Sequence, residues 1–188
     1  MAVVSSYLVV FDSDSVEGGG PGILFSEGGL DYAIKADGTA EVVGFDDSSI
    51  TELTIPSSVT YDSVTYDVTS IKDGAFYDCT GLTSVTIPEG VTSIGEYAFL
   101  YCTGLASVTI PDSVTSIGSG AFYYCTGLAS VTIPASLTSI GYGAFFHCNS
   151  LTEFDVSIDN ANYSSDGQGI LWNKDGTSLI QCPGGYEG

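Results

Sequence analysis

A 23-residue repeat is the feature of this sequence that most limits its possible folds. Cysteines recur at that step, and a proline, an Ala-Phe pair, an isoleucine and a leucine keep the same phase. The cysteines in phase are Cys79, Cys102, Cys125 and Cys148, and the prolines are Pro88, Pro111 and Pro134. A fixed period of about 20 to 50 residues indicates a solenoid or a similar array, because each unit buries its apolar side chains against its neighbours.

Each unit reads LxxVxIPxxVTSIGxxAFxxCxG and contains two extended pieces and a turn. Residues 82–87 alternate apolar and polar side chains, as in a strand with one buried face, and Pro88 ends that strand because proline cannot donate to a ladder. Residues 91–95 predict a second short extended piece. The Ala-Phe-x-x-Cys segment, residues 98–102, has apolar side chains three positions apart, which favours a single helical or 3₁₀ turn.

These motifs resemble the leucine-rich repeats of the BspA-like, or Treponema pallidum-type, class. The Ile-Pro, Ile-Gly and Ala-Phe-x-x-Cys steps carry the resemblance, strictly over residues 50–156. The resemblance implies a right-handed leucine-rich-repeat solenoid with a parallel β-sheet on one face and short helical or 3₁₀ turns on the other, mostly strand and loop. It also implies surface adhesion and protein contact, an extracellular or cell-surface location, no cofactor and no enzymatic activity.

The sequence divides into four predicted regions. They are a flexible acidic segment (1–27), a β-hairpin cap (28–49), the repeats (50–156) and a degenerate coil or cap (157–188). The first region has no basic stretch before its apolar run, so we expect no signal peptide in this chain. Asp37-Gly38 marks the turn of the cap, and about nine residues inserted near 57–66 predict a second hairpin. The alternative for the last region is that the repeats continue beyond residue 188.

The charge balance excludes several classes of partner. Three lysines, no arginine and 23 acidic residues give a formal net charge of −20. No basic patch can displace counterions from nucleic-acid phosphates, and no apolar run approaches the ~20 residues of a membrane span. We therefore expect neither nucleic-acid binding nor membrane insertion. Separately, the family resemblance implies a protein or glycan partner, and we expect a chain that is monomeric or weakly self-associating.

The cysteines fit core residues better than metal ligands or disulfides. A zinc site needs CxxC-type spacings, and the sequence has none. Neighbouring coils of a parallel stack lie ~4.8 Å apart, which exceeds the ~3.8 Å between the Cβ atoms of a disulfide. The four repeat cysteines are therefore predicted to be reduced and buried, and the off-register Cys182 is the candidate for a reactive thiol. No metal is expected at these positions.

Catalytic and calcium-binding patterns are weak. His147 is the one histidine, and its position varies between repeats, so we expect an exposed side chain. One hypothesis for function, ranked below the two given at the end of this section, is an enzyme that uses His147 or an acidic pair. The acidic stretch 159–166 has enough oxygen ligands to leave calcium binding open, and Asx turns explain its composition as well.

Two surfaces of the predicted solenoid are candidate binding sites. The outward strand positions form two columns of hydroxyls, which we name the hydroxyl face: Ser84, Thr86, Ser107, Thr109, Ser130 and Thr132. A hydrogen-bonding platform, an ordinary soluble sheet surface and an ice-binding array are three interpretations of it. In the turn, the column Tyr77, Leu100, Tyr123 and Phe146 is expected to fold back over the core. The next column, Tyr101, Tyr124 and His147, is expected to form an exposed strip for contact.

The sequence thus favours a non-enzymatic module that binds a protein or a glycan. The alternative is a structural spacer in a longer repeat array, with no ligand of its own, because each added interface stabilises such an array.

Overall fold

The structure, a computed structural model, describes residues 23–45 and 50–185. Within these ranges it contains strands joined by turns, and no helix. The strands are β1 (Ile23–Glu27), β2 (Leu30–Ile34), β3 (Ala40–Phe45), β4 (Glu52–Thr54), β5 (Ser58–Tyr61), β6 (Val64–Ile71), β7 (Ser84–Thr86), β8 (Ser93–Ile94), β9 (Ser107–Thr109), β10 (Ser116–Ile117), β11 (Ser130–Ile133), β12 (Ser139–Ile140), β13 (Glu153–Val156), β14 (Tyr163–Ser165), β15 (Leu171–Asn173) and β16 (Leu179–Gln181).

Each repeat contributes a strand to each of two parallel ladders. The first sheet has the order β13-β11-β9-β7-β4, with Ser84 opposite Ser107 and Val85 opposite Val108. In the second, β6, β8, β10 and β12 pair in parallel, with Ile71 opposite Ile94. A step of 23 residues is therefore one step across both ladders. The predicted solenoid is confirmed, and the second extended piece of the repeat forms a sheet of its own.

The third side of each coil is a turn, and here the structure departs from the predicted helical or 3₁₀ turns. Leu100 donates its N–H to the carbonyl of Tyr97, and Cys102 to that of Phe99, which makes two hydrogen-bonded turns of four residues. The N–H of Phe99, however, donates to Ala121 of the next coil at 2.7 Å. Because alternate N–H groups bond between coils, the backbone forms a third inter-coil ladder instead of a helix.

The interior is filled by columns of like side chains. The buried rings of Phe76, Phe99, Phe122 and Phe145 stack with centroids 5.1, 5.1 and 5.3 Å apart and with interplanar angles of at most 12°. Phe154, which stands where β11 has Val131, meets Phe145 edge-on at 5.3 Å and ends the stack. Burial of each phenylalanine stabilises the array by about 1.5–3 kcal/mol.

The glycine of the Ile-Gly step marks a close approach between coils. A Cβ atom on Gly118 would lie 2.5 Å from the backbone nitrogen of Glu96, and the equivalent positions Gly95 and Gly141 are as crowded. Real Cβ atoms do not approach that closely, so any side chain here would push the coils apart.

An N-terminal cap covers the first coil. Strands β1, β2 and β3 form an antiparallel meander, and β3 pairs in parallel with β6. The ammonium of Lys35 donates to the hydroxyls of Thr69 (3.0 Å) and Ser70 (3.3 Å), which ties the cap to the coil. The cap begins earlier than predicted, because Ile23–Glu27, assigned to the flexible segment, is strand β1. The rest of that segment lies outside the described residues.

The inserted residues form a hairpin of β5 and β6. Its turn residues, Asp62 and Ser63, both have positive φ (48° and 64°), as a two-residue hairpin turn requires. The carboxylate of Glu27 accepts the N–H of Thr60 at 3.0 Å and links this hairpin to the N-terminal cap.

A C-terminal cap ends the stack with an antiparallel sheet of β14, β15 and β16. The phenolic oxygen of Tyr163 accepts the N–H of Ile140 at 2.9 Å, which satisfies a donor that a further coil would otherwise take. Tyr163 stands 23 residues after Ile140, so the cap keeps the repeat register while it changes the chemistry.

Candidate functional site

A continuous surface of aromatic rings covers the outside of the turns. We name the aromatic patch by its members: Tyr77, Tyr101, Tyr123, Tyr124, Tyr142, Phe146 and His147. The exposed fractions of Tyr77, Tyr101 and Tyr142 are 54%, 37% and 83%. Contiguous exposed apolar surface on a soluble chain commonly marks a contact site.

The predicted strip forms the spine of this patch. The ring centroids of Tyr101 and Tyr124 lie 5.2 Å apart, and the His147 ring stacks on Tyr124 at 4.3 Å with an interplanar angle of 20°. Tyr77 extends the row at its other end, edge-on to Tyr101 at 6.0 Å. The structure therefore brings the three predicted residues into one row.

The neighbouring column covers the core only in part: Leu100, Tyr123 and Phe146 are half-buried, whereas Tyr77 is exposed, contrary to expectation. Tyr77 is more exposed than Tyr101, and Tyr123 lies beside Tyr124 (5.0 Å) and His147 (5.3 Å). The inner side of the turn is already filled by the buried Ala-Phe-x-x-Cys side chains, and the partly exposed rings of this column widen the patch.

The backbone under the strip has an unusual conformation. Tyr101, Tyr124 and His147 have φ values of 63°, 59° and 61°, in the left-handed region. Bulky residues rarely occupy it, and it costs about 1–2 kcal/mol per residue relative to the right-handed region. The first coil has Asp78 at this position (φ 61°), a residue type that tolerates the conformation better. The N–H of Tyr101 is held by the carbonyl of Tyr123 at 3.0 Å.

Negative charge lies at one end of the patch. Asp73 and Glu96 are exposed on one side of the turns of the first two coils, and Asp78 is exposed on the other side. In the later coils, Ser119 and Tyr142 replace the first two. The patch is thus acidic at its N-terminal end and uncharged aromatic at its C-terminal end.

The hydroxyl face lies on the first sheet, on a different side of each coil. Its six residues are exposed, except that Ser84 is half-buried, and they form two columns as predicted. Strand β4 contributes Glu52 before the columns, and β13 contributes Glu153 and Asp155 after them. The face is therefore three coils wide, with carboxylates at both ends.

The cysteines are free thiols, and three of the repeat thiols are buried. Cys102 donates to the carbonyl of Phe76 at 3.1 Å, and Cys125 and Cys148 repeat that bond one coil further along. Burial raises the pKa of Cys148 to about 12. Cys79, in the first coil, is only half-buried. The three buried thiols pack in the core, and Cys182, the candidate reactive thiol, is half-buried.

The acidic stretch 159–166 is organised by its own hydrogen bonds. Asp166 accepts the N–H groups of Gln168 and Ile170 and the indole N–H of Trp172 at 3.0 Å. The Trp172 bond is the main cause of the lowered pKa of Asp166. Across the described residues, no group of three His, Cys, Asp or Glu side chains is placed to hold a metal ion.

Sequence reasoning missed the buried amide of Asn160, which is 1% exposed. Its Nδ2 donates to the carbonyls of Pro134 (2.6 Å) and Leu137 (3.1 Å), and its Oδ1 accepts the N–H groups of Asn162 and Tyr163 at 2.8 Å. A polar residue at a position that is apolar in three earlier coils was the available signal for a cap.

Comparison with known proteins agrees with this architecture. The family model described as the BspA type leucine rich repeat region matches residues 43–166 in six copies. A search of curated proteins gave no match. No helix among the described residues is long and apolar enough to cross a lipid bilayer.

Several solved structures resemble the chain, and three of them are leucine-rich repeat proteins from bacteria. A leucine-rich repeat protein from Bacteroides capillosus is 33% identical over 71% of this chain and 98% of its own, with a TM-score of 0.64. One from Bacteroides ovatus is 35% identical over 72% of this chain and 41% of its own, with a TM-score of 0.59. The T. pallidum leucine rich repeat protein is 27% identical over 67% of this chain and 68% of its own, with a TM-score of 0.56.

Proposed function

Because the chain belongs to the BspA-type leucine-rich-repeat family, we propose that it is a non-enzymatic interaction module that binds a protein or glycan through the aromatic patch. The family supports a repeat-based module for protein interaction. The choice of this surface, and an extracellular or cell-surface location, are the further parts of the proposal.

One observation carries the choice of surface. Tyr101, Tyr124 and His147 occupy left-handed backbone positions in three successive coils, where smaller residues would be less strained. Tyr101 and His147 are exposed and Tyr124 is half-buried, so none of the three is part of the fully buried core. Large aromatic side chains are favoured at interfaces because they bury much area with few rotatable bonds.

The hydroxyl face is the second candidate surface. Its exposed columns offer hydrogen-bonding groups at the regular spacing of the sheet, which suits a polar partner such as a glycan. Small hydroxyls bury little apolar area, so we assign this face the lesser share of the binding energy.

A binding panel with two matched variants tests the proposal. The wild type, Tyr101→Asn/Tyr124→Asn and Ser107→Ala/Thr109→Ala are presented to the same arrays of peptides and oligosaccharides. We expect ligands bound by the wild type to be lost by the tyrosine variant and retained by the hydroxyl variant. Retention by the tyrosine variant of every ligand that the wild type binds would refute the role of the patch.

The spacer alternative predicts a different result. A segment without a ligand of its own would give no signal above background for any of the three proteins, and the proposal would then be wrong. Asparagine is chosen at both tyrosine positions because it tolerates positive φ, so that loss of binding does not reflect a strained backbone.

A further inference from the structure

We propose that the partner is a cationic stretch of polypeptide, rich in lysine or arginine, that lies along the aromatic patch with its positive charges over the first two coils. The inference rests on the proposed function and names the chemistry of the segment that the patch binds. It commits to a protein partner and not to a neutral glycan.

The distribution of charge around the patch is the first argument. Asp73, Asp78 and Glu96 are exposed beside the rings of the first two coils, where Lys72 is the one lysine in these turns. The other two lysines lie in the caps, where Lys35 pairs with Asp37 at 3.7 Å. The local balance is negative within a chain of net charge −20, so this end of the patch attracts cations and repels anions.

The rings supply the second argument. A lysine ammonium or arginine guanidinium over the face of a tyrosine is attracted by the ring quadrupole, by about 0.5–1 kcal/mol at an exposed site. The same cation can reach a carboxylate of the adjacent turn, because Asp78 directly follows Tyr77 in the chain and precedes Tyr101 in its column. Aromatic and acidic groups side by side therefore favour a cationic side chain over a neutral one.

The spacing of the row suits an extended chain. Side chains on one face of an extended peptide recur about every 6.6 Å. The centroids of Tyr77 and Tyr101 are 6.0 Å apart, and those of Tyr101 and Tyr124 are 5.2 Å apart. A basic segment parallel to the solenoid axis can therefore place one side chain near each coil.

The test uses three soluble peptides of equal length: an oligolysine, an oligoglutamate and a neutral Gly-Ser peptide. Binding is measured by isothermal titration at low salt with the wild type, with Asp78→Asn/Glu96→Gln and with Glu153→Gln/Asp155→Asn. The last variant is the matched control, since it removes two exposed carboxylates from β13 and therefore has the same net charge as Asp78→Asn/Glu96→Gln. We expect oligolysine alone to bind, roughly fivefold more weakly to the patch variant, with less than a twofold change in the control.

The outcomes separate the inference from the proposed function. Equal weakening in both charge variants would mean that the net charge alone attracts the peptide, and the inference would fall. If oligolysine binds Tyr101→Asn/Tyr124→Asn as tightly as the wild type, while a neutral ligand from the panel loses affinity for that variant, the inference falls and the proposed function stands. If no ligand depends on the rings, both fall. The free energy of unfolding of each variant must stay within about 1 kcal/mol of the wild-type value.

Discussion

The amide nitrogen of Asn160 lies 3.1 Å from the carbonyl oxygen of Leu137, the residue one repeat earlier in the same column. Val91, Val114 and Leu137 fill this column in the preceding coils, where all three are fully buried. In the following coil, Asn160 replaces this apolar side chain, and its amide donates hydrogen bonds to backbone carbonyls of the preceding coil. The amide thus satisfies carbonyl groups of the preceding coil that an apolar side chain could not satisfy.

Restoring the repeat residue at this position should weaken the fold. Asn160→Leu removes one hydrogen bond from each of two buried carbonyls and from each of two N–H groups, and we expect a loss of roughly 3 kcal/mol in the free energy of unfolding. Chemical denaturation with urea measures it. The exposed Asn149→Ala serves as the control and should change stability by less than about 1 kcal/mol. Equal stability of Asn160→Leu and the wild type would contradict the capping role.

The close approach at Gly118 gives a second prediction. Gly118→Ala places a Cβ atom against the backbone of Glu96, and the coils must separate, so we expect a loss of about 1–3 kcal/mol. Gly167→Ala is the matched control, because a Cβ there meets no atom within 4 Å. A melting temperature of Gly118→Ala that matches that of Gly167→Ala would show that the coils tolerate expansion.

Stability should fall at alkaline pH. In the folded chain, burial raises the pKa of Cys148 to about 12 from an ordinary value of 9.0. The unfolded thiol therefore loses its proton first, and the stabilisation present below about pH 9 is lost as the pH rises toward 12. Burial also raises the pKa of Tyr163 and of Tyr32, which adds to the loss at the upper end of that range.

Urea midpoints at pH 7.5 and pH 10.5, measured under reducing conditions, check this dependence. We expect a lower midpoint at the higher pH, and a smaller fall between the two for Cys148→Ala than for the wild type. A midpoint that does not change with pH would contradict the assignment of these thiols to the core.

The parts of this fold that follow from periodicity were predictable. A column such as Phe99 and Phe122 repeats the same side chain at the same step, so its burial and stacking follow once the repeat is recognised. The row of Tyr101, Tyr124 and His147 was predictable for the same reason. Its location on an outward turn follows from the inward direction of the adjacent Ala-Phe pair.

The parts that depend on departures from periodicity were not predictable. Tyr101 has a left-handed φ, and backbone hydrogen bonds between coils hold it there. A tyrosine would be expected to have a negative φ, so the sequence does not predict this conformation. The strand Ile23–Glu27 adjoins a glycine-rich stretch that reads as a linker, and only its pairing with Leu30–Ile34 makes it a strand. The capping role of Asn160 depends on carbonyls 23 and 26 residues earlier in the chain, and the sequence alone does not show that its amide reaches them.

The central claim is that the aromatic patch exists for contact and not for folding, and the unfolding free energy of Tyr101→Asn/Tyr124→Asn tests it most directly. Relief of left-handed strain, about 1–2 kcal/mol per residue, offsets the loss of ring contacts, about 0.5–1.5 kcal/mol per pair. We therefore predict a change of less than about 1 kcal/mol per substitution. Phe122→Ala, from the buried stack in the same coil as Tyr124, should lose about 3–5 kcal/mol in the same experiment. A loss in the tyrosine variant as large as that of Phe122→Ala would contradict the account, because the rings would then be part of the core.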